Sequence, residues 1–241
     1  MAVAYYFIGI DGNSIHFSTL SHTISLVTFF GLLLLATKQS PPGFINATSL
    51  KSSARGNAAL WLGHSIPLGF LIRFGSEGIV LIFMYFYSPG LALEEFESLT
   101  SRHGETLGGI GILVILMVIV GALDEEFIYR KVGLWHFCWR YGVCKGIVVV
   151  SLIFGAVHLN PVAALAAFCL GAAYIVSGRL WVAVIAHAAG NVFHPLFHPL
   201  VRTSDWNTYF LLSAISAFVL AAVIAFFLAT VRSRRFTLYG N

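Results

Sequence analysis

Three acids in a row, Asp124, Glu125 and Glu126, close an apolar run from Leu107 to Leu123, and Arg130 follows four residues after Glu126. An ionised side chain near the middle of a bilayer costs at least ~2.5–3.5 kcal/mol on insertion scales, so four charges at the end of such a run mark a functional site by default. On an α-helix, neighbours are turned ~100° apart and residues four apart share a face. Glu126 then stacks with Arg130, a stabilising i,i+4 contact that also answers the cost of burying both charges. Glu125 points elsewhere and is left as the carboxylate without a local partner, the one suited to act as a general base. The competing reading is an interfacial charge cap that ends a helix beside Arg130 and Lys131.

Two further groups carry chemistry. Phe154-Gly155-Ala156-Val157-His158 sets a histidine at the end of a short apolar span, directly before Leu159-Asn160-Pro161. It reads either as a hydrogen-bonded helix terminus or as a catalyst. In His187-Ala188-Ala189-Gly190-Asn191 the two polar residues are four apart and project from one face, with small residues between them that let another helix or a substrate come close. They either bridge helices or aim at a reacting group. His194 and His198 continue that stripe, but Pro195 and Pro199 interrupt the helical ladder, so these two are expected at a mouth or in a loop, with a metal-like i,i+4 histidine pair as the alternative. No His-Glu-x-x-His zinc motif and no Gly-x-Gly-Asp motif occurs, and Gly63-His64-Ser65 does not continue into a nucleophile elbow.

The elements that must position these groups are membrane helices. Of 241 residues, 58% are hydrophobic and only 10% charged, with a mean hydropathy of +0.86, which excludes a soluble domain of this size. Crossing the ~30 Å hydrocarbon layer takes ~20 apolar residues in helix. The sequence predicts an all-α, polytopic bundle of about seven spans (six to eight), near 17–37, 62–88, 107–128, 146–158, 161–177, 180–197 and 206–230. The second holds Arg73 and Glu77 inside a stretch longer than one crossing, so a broken helix or a helix pair is an alternative there. These two residues, and the acidic loop at 94–105, either shape substrate entry or serve as interface anchors and solvated loop.

Basic residues fall in alternate loops: Lys38, Lys51 and Arg55; then Arg130, Lys131, Arg140 and Lys145; then Arg179; then Arg232, Arg234 and Arg235 in the tail. The intervening segments are acidic or sparse, with Asp11, the glutamates Glu94, Glu95, Glu97 and Glu105, and Arg202 with Asp205. The positive-inside rule gives an N-terminus outside and a C-terminus inside. Such loops against anionic lipid account for the net charge of +4 and the pI near 9.1, and no basic patch interleaved with aromatics calls for nucleic acid. Met1 to Ile10 reads as no removable signal peptide. Cys138, Cys144 and Cys169 are odd in number and do not suggest a disulfide framework, and Asn46-Ala47-Thr48 matches a glycosylation pattern but falls in a loop expected inside.

The three pieces occur in order on separate spans: Glu125-Glu126-x-x-x-Arg130, Phe154-x-x-x-His158 and His187-x-x-x-Asn191. Together they resemble the CPBP family, the CAAX prenyl endopeptidases and bacteriocin-processing or self-immunity proteins, also called ABI-family intramembrane glutamic proteases. Ser151 to His158, Phe168, Gly171, Ser177-Gly178 and Leu180-Trp181 look like the family's core. The resemblance covers roughly 105–200, dividing the chain into an N-terminal transmembrane region (1–104), a core (105–200) and a C-terminal helix with a basic tail (201–241). It implies that Glu125 and His158 activate a water that attacks a peptide carbonyl, and that His187 with Asn191 stabilises the resulting oxyanion. Glu126 and Arg130 match the motif as structural support.

This reading expects an intramembrane endopeptidase of a multi-pass membrane protein, of the bacterial inner-membrane type. Its partners would be the lipid bilayer and a membrane-anchored protein or peptide: a prenylated C-terminus, a leader peptide or a C-terminal sorting helix. No cofactor or metal is called for. The zinc alternative would use Glu125, His158 and His187 as a His₂Glu ligand set. Two other classes compete: a non-catalytic immunity or scaffold member that keeps the motifs for packing, and a proton-coupled carrier, for which no repeated half with interrupted spans is visible. The catalytic reading makes one geometric demand. With Glu125 near the inner end of its span, His158 lies ~20 Å from the inner loop by rise per residue, and His187 ~12 Å from Arg179. A common depth requires tilt, a helix break, or an amphipathic 131–145 segment that shifts where the fourth span begins.

Overall fold

The computed structural model describes residues 58–102, 112–203 and 205–233. Among these, every regular element is helical: α1 (Ala58–Tyr87), α2 (Pro89–Arg102), α3 (Ile112–Glu126), a π-helical stretch (Phe127–Leu134), α4 (Trp135–Tyr141), α5 (Val143–Val157), α6 (Pro161–Ser177), α7 (Leu180–Thr203) and α8 (Trp206–Ser233). The expected span at 17–37, Lys38, Asn46, Lys51, Arg55, Glu105, Arg234 and Arg235 lie outside the described residues. Gly63–Tyr87 and Trp206–Thr230 are long and apolar enough to cross a membrane by length and composition, whereas Val143–Val157, Pro161–Ser177 and Leu180–Val192 are shorter apolar segments. Both long helices turn large apolar side chains outward, among them Phe86 (82% exposed) and Phe218 (77%).

The described residues form two compact units, each discontinuous in sequence. The first holds the π-helical stretch with α4, α5 and α6. Here the chain does not leave the protein after Glu126. It continues through the π-helical turns into α4, burying Tyr129, Val132, Leu134, His136 and Cys138, and reverses at Gly142, whose φ of 83° suits a residue without Cβ. α5 returns against α4 so closely that a Cβ on Gly146 would stand 2.7 Å from the Cys138 nitrogen. The arms on either side of Gly142 are of nearly equal length in residues, so the hairpin brings its two ends, Glu125 and His158, to one level. The 131–145 segment is thus the bend of a helical hairpin.

Helix α5 ends in a Schellman motif. The Leu159 N–H donates to the Ala156 carbonyl at 3.1 Å and the Asn160 N–H to that of Gly155 at 3.0 Å. Leu159 holds the left-handed conformation (φ 48°) where glycine is usual, at a cost of about 1–2 kcal/mol. Asn160 then caps α6, its side-chain oxygen accepting from the Val162 N–H at 2.9 Å, and Pro161 occupies the first helical position. This three-residue reversal is possible because a Cβ on Gly155 would run into Ala164, so only glycine there lets α5 and α6 touch.

The second unit holds α1, α2, α3 as far as Asp124, α7 from Trp181 and α8 as far as Leu228. α1 is one helix, unbroken at Pro67, which resolves the ambiguity of the second span. A Cβ on Gly69 would collide with the Ala186 carbonyl, and one on Gly190 would sit 3.0 Å from the Gly69 oxygen and 3.4 Å from the Arg73 Cβ. On α8, Gly75 meets Leu220 and Ser216, and Gly78 meets Ser213. By these registers α7 runs parallel to α1, and α8 antiparallel to it.

Two expectations are corrected. The acidic loop at 94–105 is helical as far as Arg102: Pro89 at a first helical position leads into Ala, Leu and Glu, all good helix formers, and Ala92 buries against Leu81 and Tyr209 with Phe96 and Trp206 alongside. His194 and His198 lie within α7, which runs through Pro195 and Pro199 to Thr203, rather than in a loop. Prolines are tolerated in membrane-type helices when neighbours satisfy the freed carbonyls. At the start of α8, Asp205 accepts from the Thr208 N–H at 2.8 Å, and that bond holds its carboxyl below the usual carboxylate range.

Candidate active site

Adjacent carboxylates at the end of α3 meet opposite surroundings. Glu126 and Arg130 are sealed, both side chains 0% exposed, with Arg130 Nε 2.9 Å from Glu126 Oε2 and Nη2 donating to Oε1 at 3.2 Å. The Nε contact is ionic rather than a well-aligned hydrogen bond. The pair spans the junction where α3 widens into π-helical turns, a distortion frequent at functional sites. The widened turns bury Arg130 and Tyr129 while the chain stays continuous.

Glu125 instead faces His158. Its Oε1 lies 3.7 Å from His158 Nε2, and the two side chains are 34% and 31% exposed. His158 is the C-terminal cap of α5, and its Nδ1 is 2.9 Å from the Phe154 carbonyl. A carbonyl can only accept, so in this contact Nδ1 carries the hydrogen. That fixes the tautomer in which Nε2, the atom facing Glu125, has the free lone pair when the ring is neutral. The imidazole stacks on the Phe154 ring (centroids 4.2 Å apart), Tyr129 meets that ring edge-on at 4.8 Å, and the Arg130 guanidinium lies over it at 5.6 Å. The sealed pair and its aromatic neighbour thus brace the histidine from below.

Phe154 stands in the motif at i−4 from His158, and that spacing is the signal for its stacking role, which motif reading alone leaves unassigned. Leu159 carries no comparable signal, since its conformation follows from the Schellman geometry rather than from its type.

His187 and Asn191 lie one turn apart on α7, with His187 half-buried and Asn191 exposed. α1 packs against the turn that carries them, through Gly69 and Arg73 on Gly190. Glu125 with His158 belongs to the first unit and His187 with Asn191 to the second. Among the described residues, no group of three or more His, Cys, Asp or Glu side chains is arranged to hold a metal ion.

A stretch running from α3 into α7 contains all six of these residues, and it is this stretch that has recognisable relatives. Residues 108–193 match the type II CAAX prenyl endopeptidase Rce1-like family. A second likeness covers more of the chain. The chain is 25% identical over 188 residues to a Bacillus subtilis (strain 168) protein named "Putative membrane peptidase YdiL", covering 76% of this chain and 73% of that one. By both comparisons the chain is similar to membrane proteases. No solved structure is significantly similar to it.

Proposed function

We propose that the chain is a multi-pass intramembrane endopeptidase that hydrolyses a peptide bond near the membrane anchor of its substrate, with Glu125 and His158 activating the attacking water. The observation that carries this reading is the 3.7 Å gap between Glu125 Oε1 and His158 Nε2, in a half-exposed setting, with the imidazole already oriented through Nδ1. The gap is too long for a good direct hydrogen bond and of a length that one water can bridge. Such a water would give its proton to Glu125 as its oxygen attacks the carbonyl carbon. The protonated carboxyl, or His158, would then deliver a proton to the departing amine. His187 and Asn191 would donate to the oxygen on which negative charge develops, and each such donor is worth about 10²–10³ in rate in a water-poor site. Glu126 and Arg130 hold the floor.

The same reading assigns seven spans, an N-terminus outside, a C-terminus inside and a bacterial inner membrane. The parallel course of α1 and α7, with α8 reversed, suits that alternation. It uses no metal. Substrates that fit are a prenylated C-terminal peptide, a leader peptide or a protein with a C-terminal sorting helix.

The test is membrane proteomics in a deletion strain complemented with wild type, Glu125→Gln or His158→Ala. The expected result is one or a few precursors that lengthen in the deletion and in both variants, with processing slowed by about 10²–10⁴, and that disappear with wild type. Full processing by both variants would favour a non-catalytic immunity or scaffold role.

A further inference from the structure

An arginine in the middle of an apolar, membrane-length helix needs a reason. Arg73 pairs with Glu77, with Nη2 2.7 Å from Oε1 and side chains 27% and 18% exposed. Its Nε is buried and has no hydrogen-bond partner among the described residues. Pairing alone would explain a charge that compensates another, but not where this one sits. Its Cβ is 3.4 Å from the point where a side chain on residue 190 would begin, so Arg73 lies against the turn of α7 that carries His187 and Asn191. Because α1 and α7 run parallel, the reach from Arg73 toward Glu77 carries the guanidinium toward the Asn191 end of that turn. Glycine at 190 is what permits this approach, since any Cβ there would press on the Gly69 oxygen at 3.0 Å.

From this geometry we infer that Arg73 is a positioning residue for the peptide-cleaving reaction, a fixed positive charge that supports His187 and Asn191 where negative charge develops on the substrate carbonyl. Glu77 is its counter-ion and keeps the guanidinium from turning away. The inference rests on the endopeptidase reading. A guanidinium keeps its charge in a poorly solvated site, and there a fixed charge near a developing oxyanion acts with little screening.

A structural ion pair and a positioned charge respond differently to three changes, each introduced into the full-length chain in the deletion strain. The readout is pulse-chase processing of whichever precursor the Glu125→Gln strain leaves uncut, with protein level followed in parallel. Replacing both charges (R73M with E77M) removes the pair without stranding either partner, a change that buried pairs tolerate structurally. Exchanging them (R73E with E77R) keeps the pair but moves the positive charge one turn along α1, and R73K keeps the charge in place. The inference expects normal protein levels throughout, processing slowed about tenfold or more in the double replacement and in the exchange, and most of the rate kept by R73K. Wild-type processing by the exchanged pair, or by the double replacement, would overturn it and leave the endopeptidase reading standing. Wild-type processing by Glu125→Gln would end both.

Discussion

Two glutamate–arginine pairs, each spaced four residues apart, lie in the two units of this protein, and they are built in opposite ways. In the first unit Glu126 precedes Arg130, both are fully shielded, and two contacts join them. In the second, Arg73 precedes Glu77, and both are partly open. Glutamate ahead of the basic residue is the better order on a helix, because each charge then also favours the helix dipole. The sealed pair thus has the order, burial and contacts of a structural brace. The open pair has the less favourable order, and it sits where two helices touch beside polar residues. The contrast separates a charge kept for packing from a charge kept for what it faces.

Removing one partner from each pair is the strongest challenge to that contrast. Arg130→Ala strands a fully buried carboxylate and is expected to cost about 3–5 kcal/mol, seen as a large fall in unfolding temperature or as loss of the protein from the membrane. Arg73→Ala, at a pair whose side chains are 27% and 18% exposed, leaves a carboxylate that water can still reach and is expected to cost clearly less. Equal losses would erase the distinction.

A smaller effect sharpens the account of the second unit. Gly69→Ala drives a methyl group into the Ala186 carbonyl, so overpacking of about 1–3 kcal/mol is expected. Gly121→Ala has no heavy atom within 4 Å of its new Cβ and should be neutral or slightly stabilising, as alanine is the better helix former. Thermal unfolding of the two variants in one detergent compares them directly, and equal shifts would mean the α1–α7 contact is not close.

The smallest effect concerns the first unit's buried turn. Burial, aided by the nearby Arg140, pushes the His136 imidazole below its ordinary value. Above pH ~6.5 the ring is neutral folded or unfolded, whereas below it the unfolded chain takes up a proton that the folded one resists. Stability should therefore fall modestly as pH drops from ~7 to ~5.5. His136→Phe should flatten that slope, and an unchanged slope would place the titrating group elsewhere.

Local rules carried much of the site. The Glu126–Arg130 stack and the separate direction of Glu125 follow from helical geometry, and His158 as a helix end follows from Asn160-Pro161 after it. The Glu125–His158 meeting did not, because it depends on a π-helical stretch and a hairpin at Gly142 whose burial comes from long-range packing. α2 was hidden because its glutamates read as solvated loop, although Pro89 and its helix formers were in view. The course of α7 through two prolines was hidden because proline rules learned in water are relaxed among apolar helices.

The central claim, that Glu125 and His158 activate water for peptide hydrolysis, is tested most directly with the purified protein in lipid vesicles. The accumulated precursor is added after exhaustive chelation, and wild type is compared with Glu125→Gln and His158→Ala. The account predicts undiminished cleavage by chelated wild type and cleavage slowed by about 10²–10⁴ in either variant. Cleavage by both variants at the wild-type rate would contradict it, and a chelated enzyme revived only by zinc would replace the metal-free mechanism.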